Sequence, residues 1–469
     1  MHNVISIHWV RKVITASVVF GGLLVSTGLS SDWLRFRGPG GAGFGSDERP
    51  VPTEWSDTKN VKWAVDLPGP GSSSPILVGD RVFVTCWTGY GLDQRNPGDQ
   101  ANLKRNLVCI DRATGKTVWS REVDAVLPED PYRGMFAQHG YASHTPVSDG
   151  ERVYVFFGKT GVLAFDLNGT RLWQTSVGTG SGARNWGTAS SPILYKNLVI
   201  VPAFAESLSL VSLDKETGAK VWEMSDDYLD STWSTPILVE AKDGRTDIVL
   251  AIPSEVWGVD PETGKVRWYC ESYESESTCE SPVAHDGIVY VVGGRNGGAI
   301  AVRAGGEGNV TKTHVLWTIE KRARINTPIY HDGHLYWIYQ GTAHCIDAET
   351  GETVYETRLT RAATARQDAR AERPGGDARS PRAGGQRVGG GRGGQDYSSP
   401  VAAGGKLYFV TRSGETIVLA LGPEFKELAR NRFGSDTGDF SATPAISNGE
   451  LFIRSSERLY CVGSPEGGQ

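Results

Sequence analysis

The chain is poor in the residues from which recognisable active sites are usually assembled. Its six cysteines, at 86, 109, 270, 279, 345 and 461, include no adjacent pair and no pair at metal-knuckle spacing, so zinc ribbons and a disulfide between neighbouring cysteines are excluded. There is no His-Glu-x-x-His, no Gly-x-Ser-x-Gly and no Walker loop, which removes the common zinc peptidase, serine hydrolase and nucleotidase signatures. Methionine is nearly absent, with 3 in 469 residues. Neither sign of charge dominates: 48 Lys and Arg face 54 Asp and Glu, which disfavours a nucleic-acid or other polyanion partner. After residue 30 no apolar run approaches the roughly 20 residues that a membrane helix requires.

The first thirty residues differ from the rest. Arg11 and Lys12 precede an uncharged run from Val13 to Val25, followed by the small residues Ser26, Thr27, Gly28 and Ser30. This pattern predicts a secretory signal peptide over 1–30, and hence an exported protein of the periplasm or extracellular space. The first cysteine is Cys86, so no lipid-anchor motif stands at the cleavage point. Cleavage leaves 46 basic against 54 acidic residues. Residues 31–59 are expected to form an N-terminal extension and 464–469 a short tail.

What is abundant is repetition. A Ser/Thr-Pro step recurs at Pro75, Pro146, Pro192, Pro236, Pro282, Pro328, Pro400 and Pro444, about every 45 residues with two longer gaps. Each step leads into a tight Asp-Gly, Asn-Gly or similar turn and then aromatic or branched segments, as in Thr327 to Tyr330, His331-Asp332-Gly333, Leu335 to Tyr339, Ala343 to Asp347 and Thr353 to Thr357. Four short strands per copy describe one antiparallel blade. A lone blade leaves both faces wet, so the copies must stack and close into a ring. The sequence therefore predicts an all-β fold, an eight-bladed β-propeller over 60–463.

A second signature marks the outer strands: Cys109 to Trp119 (CIDRATGKTVW), Ser212 to Trp222 (SLDKETGAKVW), Gly258 to Trp268 (GVDPETGKVRW) and Cys345 to Tyr355 (CIDAETGETVY). Aspartate can bond the turn backbone, glycine supplies a positive φ, and tryptophan is a large plate for the gap between blades. The eighth copy lacks a fourth strand, whereas Asn60 to Leu67 reads as a strand without a blade; the N-terminal strand should complete the last blade.

This pattern resembles the tryptophan-docking repeat of the quinoprotein alcohol dehydrogenase-like superfamily, the PQQ-like repeat propellers. For the dehydrogenases of that superfamily the resemblance implies PQQ beneath a disulfide of adjacent cysteines, with calcium beside a catalytic aspartate. No adjacent cysteines exist here, and no calcium ligand or catalytic residue can be assigned. The superfamily also holds non-catalytic propellers, among them the outer-membrane assembly lipoprotein. The segment Trp33 to Gly40 (WLRFRGPG) is similar to the mature N-terminus of exported PQQ-like repeat proteins.

Propeller topology sends the insertions 86–105, 121–143 and 358–397 to one face, opposite the tight turns, and function usually resides on such loops. Residues just before each Ser/Thr-Pro step should ring the channel mouth on that face: Trp186, Thr188, Trp233, Thr278, Cys279, Arg324, Asp396 and Phe440, with Arg184, Tyr273, Glu280 and Arg295 nearby. Aromatic plates beside charges suit a sugar, a peptide or a flat cofactor, although Trp186 and Trp233 serve equally as wedges between blades. Asp226, Asp227, Asp230, Glu271, Glu274, Glu276 and Glu280 are expected to form a solvated acidic rim with no metal-loop spacing. His139 and His144 read as polar surface residues. Cys270 and Cys279 could close one loop or remain free. The insertion 361–396 is rich in Arg and Gly, lacks aromatics, and should be a disordered arm. The expected role is an exported, monomeric, non-catalytic binding or scaffold propeller that recognises a protein or an extracellular polymer through its long-loop face; the alternatives are a PQQ-dependent alcohol or aldose dehydrogenase with calcium, or a glycan-binding or glycan-active propeller.

Overall fold

The computed structural model describes residues 32–46, 49–359 and 395–464. The expected signal peptide, nearly all of the Arg/Gly insertion and most of the tail lie outside the described residues. Eight antiparallel sheets follow one another along the chain: blades one to seven span 76–124, 147–175, 193–225, 237–271, 283–319, 329–358 and 401–432. Blade eight combines 445–462 with the N-terminal strand Val61–Asp66, whose Ala64 pairs with Tyr460 and Val65 with Leu459. Both ends of the propeller meet in one sheet, as the missing fourth strand predicted.

Burial follows position within the blade. Inner strands such as Arg81–Thr88 and Leu198–Ala203 are buried almost throughout because neighbouring blades cover both faces, so they read as continuous apolar runs. Outer strands such as Val61–Asp66 and Lys220–Ser225 alternate, one face against the next blade and one toward solvent. The hairpins at Asp332-Gly333 and Asn448-Gly449 hold both central residues at positive φ, the primed-turn geometry that matches strand twist.

The Ser/Thr-Pro step has a physical role. In seven of the eight copies the hydroxyl residue before the proline accepts the backbone N–H of its counterpart in the preceding blade: Ser74 N–H donates to Thr145 Oγ1, Thr145 to Ser191, Ser191 to Thr235, Thr235 to Ser281, Ser281 to Thr327, Thr327 to Ser399 and Ser399 to Thr443, all at 2.9–3.0 Å. These buried hydroxyls make a belt that ties blade one through to blade eight. Thr235→Val keeps the shape but strands the Ser191 N–H, and is expected to cost about 1–3 kcal/mol in equilibrium denaturation.

The segment before the first strand is part of the core. Trp33 exchanges backbone hydrogen bonds with Leu77 of blade one, and Ala402 of blade seven bonds Gly43 and Gly45. Between them Arg35 reaches the Pro236 carbonyl of blade four at 2.9 Å. Arg37, 1% exposed, donates to the carbonyls of Thr327 and Pro328 in blade six, Pro400 in blade seven, and Gly41 and Ala42 of its own turn. The stretch expected as an extension thus stitches the innermost strands of opposite blades together and plugs the channel.

Candidate functional site: the long-loop mouth

The loops between blades converge at the mouth. Those after blades three and four are zipped together: Trp233 N–H donates to the Thr278 carbonyl at 2.7 Å, and Thr278 N–H to Ser231 at 3.1 Å. This fixes Trp233, which packs against Trp186 with centroids 5.1 Å apart and the rings tilted by 30°, and donates its indole N–H to the Gly187 carbonyl. The Arg184 guanidinium lies 5.2 Å over the Trp186 ring and donates to Ser231 Oγ and the Glu276 carbonyl. The Glu276 carboxylate stands 3.7 Å from both Arg184 and Arg295. Cys279 sits within the fields of Arg184 and Arg324, yet burial dominates and pushes its thiol up to about 12. It is a protonated, inert thiol at neutral pH.

Other expected mouth residues have different surroundings. Glu280 is fully buried; it accepts the Tyr273 hydroxyl at 2.5 Å and the Cys279 N–H at 3.1 Å, and burial raises its carboxyl above the ordinary range. Gly293 and Gly298 leave the space for this pair, since a Cβ there would fall 2.1 Å from Glu280 and 2.3 Å from Tyr273. Phe440 belongs to the core shared by blades seven, eight and one, against Gly414. Tyr273, Glu280 and Phe440 therefore hold the mouth's wall, because their side chains turn into the blade packing. His144 is a correction of the same kind: it is buried and packs tilted against Phe156 with ring centroids 4.4 Å apart, while His139 packs against Phe136. All six cysteines are free thiols, Cys270 inside a strand, so the 270–279 loop is not closed by a disulfide. The acidic rim is dispersed: Asp226 caps a short helical turn, Asp230 accepts the Ala183 N–H, and Glu276 serves the arginines.

Sequence reading missed the residues that cross the mouth. The segment 125–146, which holds most of the insertion 121–143, runs over it, and Gln138 Oε1 accepts from Arg412 of blade seven at 3.0 Å. Arg412 also pairs with Asp439 at 2.5 Å, donates its backbone N–H to Asp396 and covers the Tyr397 ring at 5.1 Å. What remains uncovered by these contacts is an arc carrying Arg184, Trp186, Trp233, Arg295 and Arg324. Arg324 makes no hydrogen bond or ion pair among the described residues. Such an arc offers stacking plates and guanidinium donors but no paired acid and base.

The tryptophans of the repeat are interblade packing. Trp63, Trp119, Trp173, Trp222 and Trp317 each donate the indole N–H to a carbonyl of the next blade, those of Arg112, Leu167, Lys215, Pro261 and Ala348. Each also covers a glycine there.

A family model described as outer membrane protein assembly factor BamB matches residues 100–232 and 203–357, more than half of the chain. The chain belongs to this family. The curated polyvinylalcohol dehydrogenase of a Pseudomonas species is 22% identical over 308 residues, covering 51% of this chain and 44% of the dehydrogenase, so the chain spans less than half of that relative. Among solved structures, BamB from Moraxella catarrhalis has a TM-score of 0.56 at 12% identity, covering 86% of this chain and 98% of that one. The quinohemoprotein alcohol dehydrogenase from Comamonas testosteroni has a TM-score of 0.60 at 11% identity, covering 94% and 82%. Identities this low show the propeller fold alone. Among the described residues no helix is long and apolar enough to cross a membrane.

Proposed function

We propose that this chain is an exported, non-catalytic binding propeller that holds a protein or an extracellular polymer at the open arc of its long-loop mouth. The observation that carries the reading is the asymmetry of the channel. The 32–46 segment fills it between the innermost strands, while the opposite mouth keeps Trp186, Trp233, Arg184, Arg295 and Arg324 on rigid loops. The family's description as an assembly factor agrees with a scaffold role outside the cytoplasm, as does the leader-like N-terminus.

PQQ with calcium fits these residues poorly. Trp186 and Trp233 already cover one another, Cys279 is a single thiol, and Glu280 is committed to Tyr273 and a backbone N–H. No group of three or more His, Cys, Asp or Glu among the described residues is arranged to hold a metal ion. The likeness to a polyvinylalcohol dehydrogenase nevertheless gives a second reading, oxidation of a polymeric alcohol, for which the cofactor is the deciding test.

Photo-crosslinking side chains placed at positions 233 and 324 are expected to trap a partner in the secreted or periplasmic fraction, and one at position 332 on the turn face to trap none. The adduct should disappear when Arg184 and Trp186 are both replaced by alanine. Equal labelling from all three positions, or adducts indifferent to that replacement, would contradict the assignment.

A further inference from the structure

The first two insertions fold together. Trp87, near the end of blade one's strand Arg81–Thr88, makes a small, mostly aromatic core with Tyr90, Leu103, Phe136 and Tyr141, and from it the segment 125–146 crosses the mouth as a strap. Its far end is held by the Gln138–Arg412 bond and by His139 against the Trp186 carbonyl at 2.5 Å. Its near end is held by two buried ion pairs, Glu129 with Arg105 and Asp130 with Lys159, the second sharing Ser181 Oγ. Beneath this near end lies a cavity of about 20 Å³, room for a single water, lined by Arg105, Glu129, Asp130, His144, Lys159 and Glu206.

Glu206 is the acid without an ion-pair partner in this cluster. It is carried by the one-turn helix Phe204–Ser207, is 5% exposed, and has a carboxyl oxygen with no hydrogen-bond partner. The two cations at the cavity are already paired with Glu129 and Asp130. The helix cannot easily shift away: Gly180 N–H donates to the Glu206 carbonyl at 2.8 Å, and a Cβ on Gly178 or Gly180 would fall 2.4 or 2.8 Å from it.

We propose that Glu206 is the latch of the strap: protonated, it lies quietly beneath the two acidic anchors, and ionised, it repels Glu129 and Asp130, loosens the near end and uncovers the mouth. Access to the proposed binding arc would then follow pH, although the strap's motion can be read without any ligand.

The groups facing Glu206 set the direction. Burial pushes its carboxyl up to about 8, the Glu129 and Asp130 carboxylates push the same way, and Lys159 opposes. Arg105 is engaged through its two terminal nitrogens by the Tyr141 carbonyl and Glu129, its Nε having no partner. His144 is held neutral by burial, with its Nε2 at Thr188 Oγ1. In the open strap Glu206 returns toward its ordinary 4.5. The closed form therefore binds the extra proton between these values. Opening becomes easier as pH rises through that window, by up to about tenfold per unit, and levels off above about pH 8. A histidine freed from burial protonates near pH 6.5 and favours opening on the acid side, so the informative range begins there.

The test is hydrogen exchange of the full chain at pH 6.5, 8.5 and 10, with each rate divided by the intrinsic rate of an unstructured peptide at that pH. Peptides from 125–146 should lose more than tenfold protection between pH 6.5 and 8.5, and little more by pH 10. In Glu206→Gln, which keeps the shape of the protonated carboxyl, protection should stay level, and blade peptides from 198–203 should not change in either protein. Equal loss in wild type and variant, no loss in wild type, or a loss that keeps growing to pH 10 would overturn the proposal; the wild-type profile decides the last two without the variant.

Discussion

Arg37→Ala is expected to destabilise the propeller by about 3–5 kcal/mol, as removal of the charged member of a buried, fully bonded cluster does elsewhere. Five carbonyls from three parts of the chain converge on its guanidinium, and truncation leaves them buried without a donor. Burial lowers the Arg37 pKa to about 9, so the group remains charged at neutral pH. The planar fork matters as much as the charge. Lysine has three donors on a point cation and cannot serve five carbonyls from two neighbouring blades and its own turn at once, so Arg37→Lys should recover less than half of the loss. Equilibrium denaturation supplies the magnitude. Limited proteolysis between residues 32 and 46 tells whether the segment leaves the channel, as the loss of its anchor requires.

The second large effect belongs to the docking tryptophans. Trp222 donates to the Pro261 carbonyl at 3.1 Å and covers Gly264 of blade four, where a Cβ would lie 2.5 Å from the indole. Trp222→Ala opens a cavity between blades three and four and is expected to cost about 3–5 kcal/mol. Gly264→Ala pushes against the same ring and imposes φ +72 on alanine, for about 2–4 kcal/mol. In the double variant the added methyl enters the space the indole left. The two losses should therefore add to less than their sum by about 1 kcal/mol or more, a coupling that only direct contact gives. Trp268 breaks the pattern: its indole N–H donates to the buried Asp247 of its own blade at 2.8 Å, and a two-residue strand, Gly308–Asn309, covers that blade's outer edge.

The features legible in the sequence are the periodic ones. Ser74 and its seven counterparts repeat because each blade needs the same hydroxyl at the same place in the belt, and the Thr-Gly turns repeat because each indole needs a bare neighbour. The strand that completes blade eight was legible by arithmetic, one strand in excess at one end and one missing at the other. Arg37 was not, because its partners are backbone carbonyls and these leave no trace in residue identity. The strap was equally hidden: Gln138 and Arg412 are 274 positions apart, and neither belongs to a motif that recurs from blade to blade. For Tyr273, Glu280 and Phe440 the sequence located the backbone near the mouth, while the side-chain direction was decided by Gly293, Gly298 and Gly414, whose missing Cβ atoms open space inside the blades.

The most direct test of the central claim, that the mouth binds rather than catalyses, is a calorimetric titration of the chain with PQQ, with and without calcium, followed by dye reduction with alcohols, aldoses and polyvinyl alcohol. The account predicts no binding heat at micromolar PQQ and no turnover with any of these substrates. Micromolar binding accompanied by substrate-dependent dye reduction would contradict it.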